Sequence, residues 1–173
     1  MGRAEFFHLE PLGKLHHRSE FHCGVESLDL YLKTQASQDM RRKANAVFVL
    51  TPADLPSQIA GYFTLCATGL APGNIPEAAR KHIPRYPMVS ATLLGRLAVS
   101  VEFQGKGLGS VLLAKALAKS YENAAQVGSS MVVVDAIGDR AAKFYAAHGF
   151  IQLPESMRLI LPIQTIAAMI EPA

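Results

Sequence analysis

The residues best placed to do chemistry fall in one stretch, Leu93-Leu94-Gly95-Arg96-Leu97-Ala98-Val99-Ser100-Val101-Glu102-Phe103-Gln104-Gly105-Lys106-Gly107-Leu108-Gly109-Ser110. Glycines at 105, 107 and 109 remove every second Cβ, so backbone N–H groups can close around a phosphate where a helix begins. The expected chemistry is anion binding by backbone, and the expected ligand carries phosphates. Arg96 stands in the apolar run ahead of the turn, where a charge is costly unless paired or wet. It is either half of an internal ion pair, with Asp135 or Asp39 as partner, or a contact for a phosphate.

Two common phosphate loops do not fit these residues. A nucleotide-triphosphate loop needs Gly-x-x-x-x-Gly-Lys-Ser/Thr, and no Lys follows Gly109. A dinucleotide fingerprint needs Gly-x-Gly-x-x-Gly, but Ser110 stands where the third glycine belongs and Asp135 lies too far along to be the acidic partner.

The hydrophobic pattern sets out the elements that must position this stretch. Phe6 to Leu9 reads as a short strand closed by Pro11. Leu28, Tyr31, Leu32, Ala36 and Met40 recur at three- and four-residue steps, which predicts a helix from Glu26 to about Arg42. Asn45 to Thr51 and Ile59 to Ala67 read as an antiparallel hairpin. From Thr68 to Met88 the prolines at 72, 76, 84 and 87 make a long connection, with one short helix at Glu77 to His82. Long connections are often functional, and this one carries Arg80, Lys81, His82 and Arg85. Ala91 to Val101 is the strand before the glycine turn, and Ser110 to about Asn123 is an amphipathic helix after it. Met131 to Ala136 is a continuous apolar run, as expected of a strand covered on both faces. Asp139 caps a helix that stops at Gly149. Phe150 to Leu153 and Met157 to Leu161 are closing strands, and Pro162 to Ile170 is a last short helix. The order predicts an α/β sheet of mixed direction with helices on both faces.

Bulk properties narrow the class. A chain of 173 residues, 50% hydrophobic and 18% charged, is expected to form one globular domain over 1–173 rather than a disordered chain. A net charge of +3 suits an anionic partner without demanding one. Cys23 and Cys66 have no metal-type spacing and read as reduced core residues of a cytoplasmic protein. His8, His16, His17 and His22 read as surface or loop histidines, and no metal is expected. Met1 to Glu10 contains Glu5 and no long apolar region, so it is not read as a signal peptide. No run reaches the roughly 18 apolar residues of a membrane span.

Gln104-Gly105-Lys106-Gly107-Leu108-Gly109 also matches Gln/Arg-x-x-Gly-x-Gly/Ala. It lies between an apolar strand and an amphipathic helix, ahead of Val132 to Ala136 and Phe144-Tyr145. In that order of parts the chain resembles the GNAT N-acetyltransferase family. A narrower resemblance covers about Phe21 to Thr165. Its blocks are Phe21-His22-Cys23-Gly24 with Leu28-Asp29-x-Tyr31-Leu32 and Ala36-x-Gln38-Asp39-x-Arg41, then Gly61-Tyr62-Phe63-Thr64-Leu65, then Tyr86-Pro87 with Leu94-Gly95-Arg96-Leu97-Ala98-Val99, and last Val134-Asp135-Ala136 with Phe144-Tyr145. These are similar to the acetyltransferase toxins of bacterial type II toxin–antitoxin modules. Ser100 departs from the pattern, since many relatives have Asp there.

The resemblance implies a GNAT fold with a mixed, mostly antiparallel central sheet and acetyl-CoA as cofactor. It implies acetylation of the α-amino group of aminoacyl-tRNA, and hence inhibition of translation. The backbone of Leu97, Ala98 and Val99 would align the pantetheine arm, and the loop from Gln104 through Gly105, Lys106, Gly107, Leu108, Gly109 and Ser110 would hold the pyrophosphate. Phe144 is the packing member of its pair and flanks the cofactor, while Tyr145 gives a proton to the departing thiolate. Arg96, Lys33, Arg41, Arg80 and Arg85 would meet tRNA phosphates, with Arg42 and Lys81 as companions. The implied partners are aminoacyl-tRNA, a ribbon-helix-helix antitoxin and a second copy of the chain.

No Glu or His is evident as a general base at a strand end; Glu102, one step before the loop, reads as an exposed turn residue, with a base as the alternative. A lysine amine near about 10.4 would need help to lose its proton, whereas an α-amine at about 7.7 to 8.0 is already partly neutral, which favours an α-amino acceptor. Two alternatives remain open on sequence: an acetyltransferase of small amines or protein N-termini, and a non-catalytic CoA- or partner-binding module.

Overall fold

Runs rich in Val, Leu, Ile and Phe form seven strands in the computed structural model, which describes residues 6–171. Glu5, used above against a signal peptide, lies outside the described residues. The strands are β1 (Phe7–Pro11), β2 (Ala46–Pro52), β3 (Gly61–Leu70), β4 (Val89–Val99), β5 (Met131–Asp135), β6 (Ile151–Gln152) and β7 (Arg158–Pro162). The helices are α1 (Glu26–Thr34), α2 (Ala36–Arg41), α3 (Glu77–Arg80), α4 (Leu108–Ala124), α5 (Asp139–Ala147) and α6 (Ile163–Ile170). One sheet runs in the order β1-β2-β3-β4-β5-β7-β6. The pairs β1–β2, β2–β3, β5–β7 and β6–β7 are antiparallel, and β4–β5 is parallel. This is the mixed, mostly antiparallel α/β sheet expected from the sequence. Pro11 closes β1 as its last residue, still paired with Phe48, as an edge strand allows.

The chain divides into two compact units. The first runs up to Cys66 and includes Arg96–Ala116; the second is Ala67–Gly95 with the chain from Leu117 onward. In the first, Phe21, Tyr31, Leu32, Val47, Val49, Ile59, Tyr62 and Ala98 form the core. Tyr62 organises it, edge-on to Phe21 at 5.4 Å, stacked with Tyr31 at 6.5 Å, and donating its hydroxyl to the Leu28 carbonyl at 2.6 Å. The helix expected from 26 to 42 is two helices that meet at Gln35. Thr34 Oγ1 donates back to the Leu30 carbonyl at 2.8 Å, a bond that competes with the helix ladder and favours a bend. Gly61 is required by close approach, because a Cβ there would lie 3.0 Å from the Ala98 carbonyl oxygen.

In the second unit Ile75, Val89, Ala91, Met131, Val133, Leu153 and Ile160 pack together. Met131 to Val134 are fully buried, in keeping with the unbroken apolar run. Asp139 is not the cap of α5 but its first helical residue. Gly138 takes the N-cap position and no side chain bonds the free N–H groups, so Asp139 contributes only its charge to the helix dipole. Pro162 is the last residue of β7 and precedes α6, with Ile163 the first helical residue.

A candidate acetyl-donor loop and its surroundings

The glycine turn follows β4 after one turn of 3-10 helix at Val101–Phe103 and leads straight into α4, a helix of 17 residues. Gly105 and Gly107 take φ of +77° and +79°, a left-handed conformation that glycine enters without penalty. A Cβ at Gly105 would meet no atom within 4 Å, so the turn opens onto free space. The first N–H groups of any α-helix lack acceptors within the helix, so the opening turn of α4 adds donors beside those of the glycines. These features fit a pyrophosphate, which needs donors and room rather than side chains.

Gln104 has a different part from the one expected. Its Nε2 donates to the carbonyls of Cys23 and Val99, each at 2.8 Å, so both amide hydrogens are engaged inside the protein. Gln104 therefore braces the loop against the end of β4 instead of offering its side chain to a ligand. Ser100 donates its N–H to Ala60 at 2.8 Å, and Val101 donates to the His22 carbonyl at 2.8 Å. A strand alternates the edge to which successive backbone groups point. Ser100 and Ala98 therefore address the Ala60–Gly61 side, and Leu97 and Val99 address the opposite edge. The β4–β5 register on that edge runs only from Thr92↔Val132 to Leu94↔Val134. The peptide groups of Leu97 and the N–H of Val99 suit the expected pantetheine contact; the Val99 carbonyl is held by Gln104.

Arg96 pairs with neither expected carboxylate. Asp135 is gripped by Arg158, with Nε and Nη2 at 2.7 and 2.9 Å from its two oxygens. Asp39 accepts from Tyr31 Oη at 2.8 Å, Gln35 at 3.0 Å and Asn45 at 3.1 Å. Arg96 instead lays its guanidinium over the Tyr31 ring, 3.5 Å from the centroid. A π face satisfies a half-buried cation without neutralising it. Burial, then the bond to Asp39, pushes the Tyr31 phenol up to about 12, with Arg96 pulling the other way.

Tyr145 lies in the last turns of α5 and is buried, while Phe144 is half-buried. The expected packing member of the pair is thus the more open one. Tyr145 meets Phe144 edge-on at 5.3 Å and Phe150 at 5.4 Å, and its hydroxyl makes no hydrogen bond among the described residues. Burial alone pushes its phenol up to about 12, so Oη holds its proton throughout the physiological range.

The expected tRNA contacts divide. Lys33 and Arg41 are exposed near the ends of α1 and α2. Arg80 is a clamp, donating to the carbonyls of Ile75 and Gly73 at 2.8 and 2.9 Å, while Arg85 lies exposed on the same connection. His16 is not a surface residue. It is buried, accepts from the Gly13 N–H at 2.9 Å and meets Glu10 at 2.7 Å. His22 is exposed but anchored, its Nδ1 3.0 Å from buried Asp29, which also accepts the Cys23 N–H at 2.8 Å. Burial opposes the charge on Asp29, but the bonds from Cys23 and His22 outweigh it and hold the carboxyl below its usual range. Seven positions of separation across Cys23-Gly24 gave no sign of this pair. No group of three or more metal-ligating side chains occurs among the described residues. No helix among them is long and apolar enough to cross a membrane.

Comparison with known proteins adds what geometry alone does not. Residues 47–152 match the family described as Acetyltransferase (GNAT) domain. A tRNA-acetylating toxin of Mycobacterium tuberculosis is 31% identical over 153 residues, covering 88% of this chain and 89% of its own. A structure of AtaT complexed with acetyl-methionyl-tRNAfMet superposes with a TM-score of 0.84 at 30% identity, over 95% of this chain and 99% of that one. A tyrosine-to-phenylalanine mutant of AtaT, bound to the C-terminus of the antitoxin AtaR and acetyl-CoA, gives 0.80 at 26% identity, over 96% and 99%.

Proposed function

The chain belongs to the GNAT acetyltransferase family, and on that premise we propose that it is a toxin that uses acetyl-CoA to acetylate the α-amino group of aminoacyl-tRNA, so blocking translation, with residues 1–173 acting as one catalytic domain. The observation that carries the reading is likeness over 95% of the chain to a toxin complexed with acetyl-methionyl-tRNAfMet. When bound, acetyl-CoA supplies an acyl group activated as a thioester. The amides of Gly105, Lys106 and Gly107 and the opening turn of α4 hold its pyrophosphate, and Leu97 with the Val99 N–H aligns its pantetheine arm. Gln104 keeps the loop in place from inside. Tyr145 holds a proton at Oη, which would be available to the sulfur as the thioester is cleaved. Desolvation that raises a buried phenol also raises a thiol, which keeps the two matched. An α-amine at about 7.7 to 8.0 is partly neutral at cell pH, so the acceptor needs no dedicated base. Arg96, Lys33, Arg41 and Arg85 supply positive charge for phosphates. The same reading extends to a ribbon-helix-helix antitoxin as partner, a homodimeric assembly and action in the cytoplasm.

Labelled acetyl-CoA tests the reaction against charged and uncharged tRNA. Label should enter charged tRNA alone and leave as an N-acetylated amino acid on alkaline hydrolysis. Transfer to small amines or protein N-termini with none to charged tRNA overturns the proposal.

A further inference from the structure

The connection from β3 to β4 is not a loose loop. Ile75, Ala79 and Ile83 bury themselves in the core of their unit, and His82 Nδ1 lies 2.9 Å from Gln164 Oε1 on α6. Between these anchors the segment shapes a groove of about 760 Å³, lined in part by Gly73, Glu77, Arg80, Lys81, Arg85 and Tyr86. Arg80 builds the groove, closing the turn through its bonds to Gly73 and Ile75. Lys81 and Arg85 make no ion pair or hydrogen bond among the described residues. Three cations face one carboxylate, Glu77, so the groove is net positive. Beside them Tyr86 is 64% exposed, a large ring left in water, with Pro84 and Pro87 restricting the backbone on either side.

Unpaired cations next to an exposed aromatic ring are what a single-stranded nucleic acid requires, a phosphate contact and a stacking face side by side. An acidic peptide would answer the cations but not the ring. We infer that this groove takes the unpaired 3′ end of the tRNA, with a base stacked on Tyr86 and phosphates against Lys81 and Arg85. Arg80 then shapes the groove instead of reading the substrate. The inference rests on the proposal that tRNA is the substrate, and its test uses RNA without an aminoacyl group so that the two stand or fall separately.

Equilibrium binding of the full chain to deacylated tRNA is compared with binding to the same tRNA trimmed of its unpaired 3′ nucleotides. Tyr86→Ala should weaken binding of intact tRNA about fivefold or more and leave the trimmed form unchanged, while Tyr86→Phe, which keeps the ring, binds like wild type. Joint replacement Lys81→Ala and Arg85→Ala should lower the salt slope for intact tRNA by about 1.4, or about 0.7 for each single-strand phosphate. The inference is overturned if Tyr86→Ala affects both RNAs alike or neither, or if it weakens only the binding of a synthetic acidic antitoxin peptide. If these binding effects hold while charged tRNA takes no label, the groove stands and the proposed reaction falls.

Discussion

Replacing Tyr145 by Phe removes one oxygen and leaves the ring contacts to Phe144 at 5.3 Å and Phe150 at 5.4 Å in place. The lost hydroxyl has no hydrogen-bond partner among the described residues, although the residue is only 8% exposed. Its oxygen is not among the buried side-chain atoms left without a partner, so it reaches solvent, and its removal should change stability by no more than about 0.5 kcal/mol. For a chain of this size that is a shift in Tm of at most about 1–2 °C. Turnover should move much further, because loss of a positioned general acid costs about 10²–10⁴-fold, or about 3–5 kcal/mol of barrier. Initial rates with charged tRNA, calorimetric acetyl-CoA binding and thermal unfolding measure the three quantities on one sample. A pH series adds an independent check. The folded phenol is raised to about 12, so its effect on stability is nil below about pH 10 and destabilises the wild type as pH climbs from there. The Phe variant should lack Tyr145's share of that decline, while the raised phenols of Tyr31 and Tyr62 keep theirs. Turnover within about threefold of wild type refutes Tyr145 as the acid. A fall of several degrees in Tm alongside lost activity refutes the premise that the hydroxyl is unpartnered.

Gly105→Ala forces an L residue to φ +77° where no atom crowds the Cβ, so the cost is backbone strain alone, about 1–2 kcal/mol in chemical unfolding. Acetyl-CoA affinity by calorimetry should drop about tenfold or more, and unchanged affinity would remove the turn from the cofactor site. Arg96→Glu should weaken tRNA binding and reduce the salt slope by about 0.7–0.9 for the lost phosphate contact; if both stay put, Arg96 serves only to pack on Tyr31. Asp29→Asn keeps one acceptor oxygen and sets an amide NH2, which accepts nothing, against the other of the Cys23 and His22 groups, and should cost about 1–3 kcal/mol. Because the folded carboxyl lies below its usual range, its stabilisation is present above about pH 4 and lost as pH falls further, so the Asn variant should show a flatter acid-unfolding curve.

What could be read from sequence was what backbone demands write into residue type. Positive φ at 105 and 107 requires glycine, and glycine is visible. A strand buried on both faces needs an unbroken apolar run, and Met131 to Val134 is one. What could not be read was set by partners that leave no mark. Gln104 donates to two carbonyls, and every residue has a carbonyl. The phase of α5 was hidden because Ala141, Ala142, Ala146 and Ala147 suit either face of a helix, so nothing said that Tyr145 and not Phe144 turns inward. The break at Gln35 goes with Thr34 bonding its own helix, a bond open to every solvent-exposed threonine and so not announced by residue type.

Arg96 shows how such a miss changes the chemistry. Charge complementarity suggested Asp39 or Asp135, and either would have met the cost of a half-buried cation by cancelling its charge. Both carboxylates already have other donors, and the burden falls on the ring of Tyr31. Tyr31 passes it on, since its hydroxyl donates to Asp39, whose carboxyl is held below its usual range first by Gln35, Tyr31 and Asn45 and least by the field of Arg96. A guanidinium seated on a π face keeps its full charge and its in-plane N–H donors, because the ring takes only the face. The arrangement that makes Arg96 tolerable in β4 is therefore also the one that leaves it able to bind an anion, which an internal ion pair would have prevented.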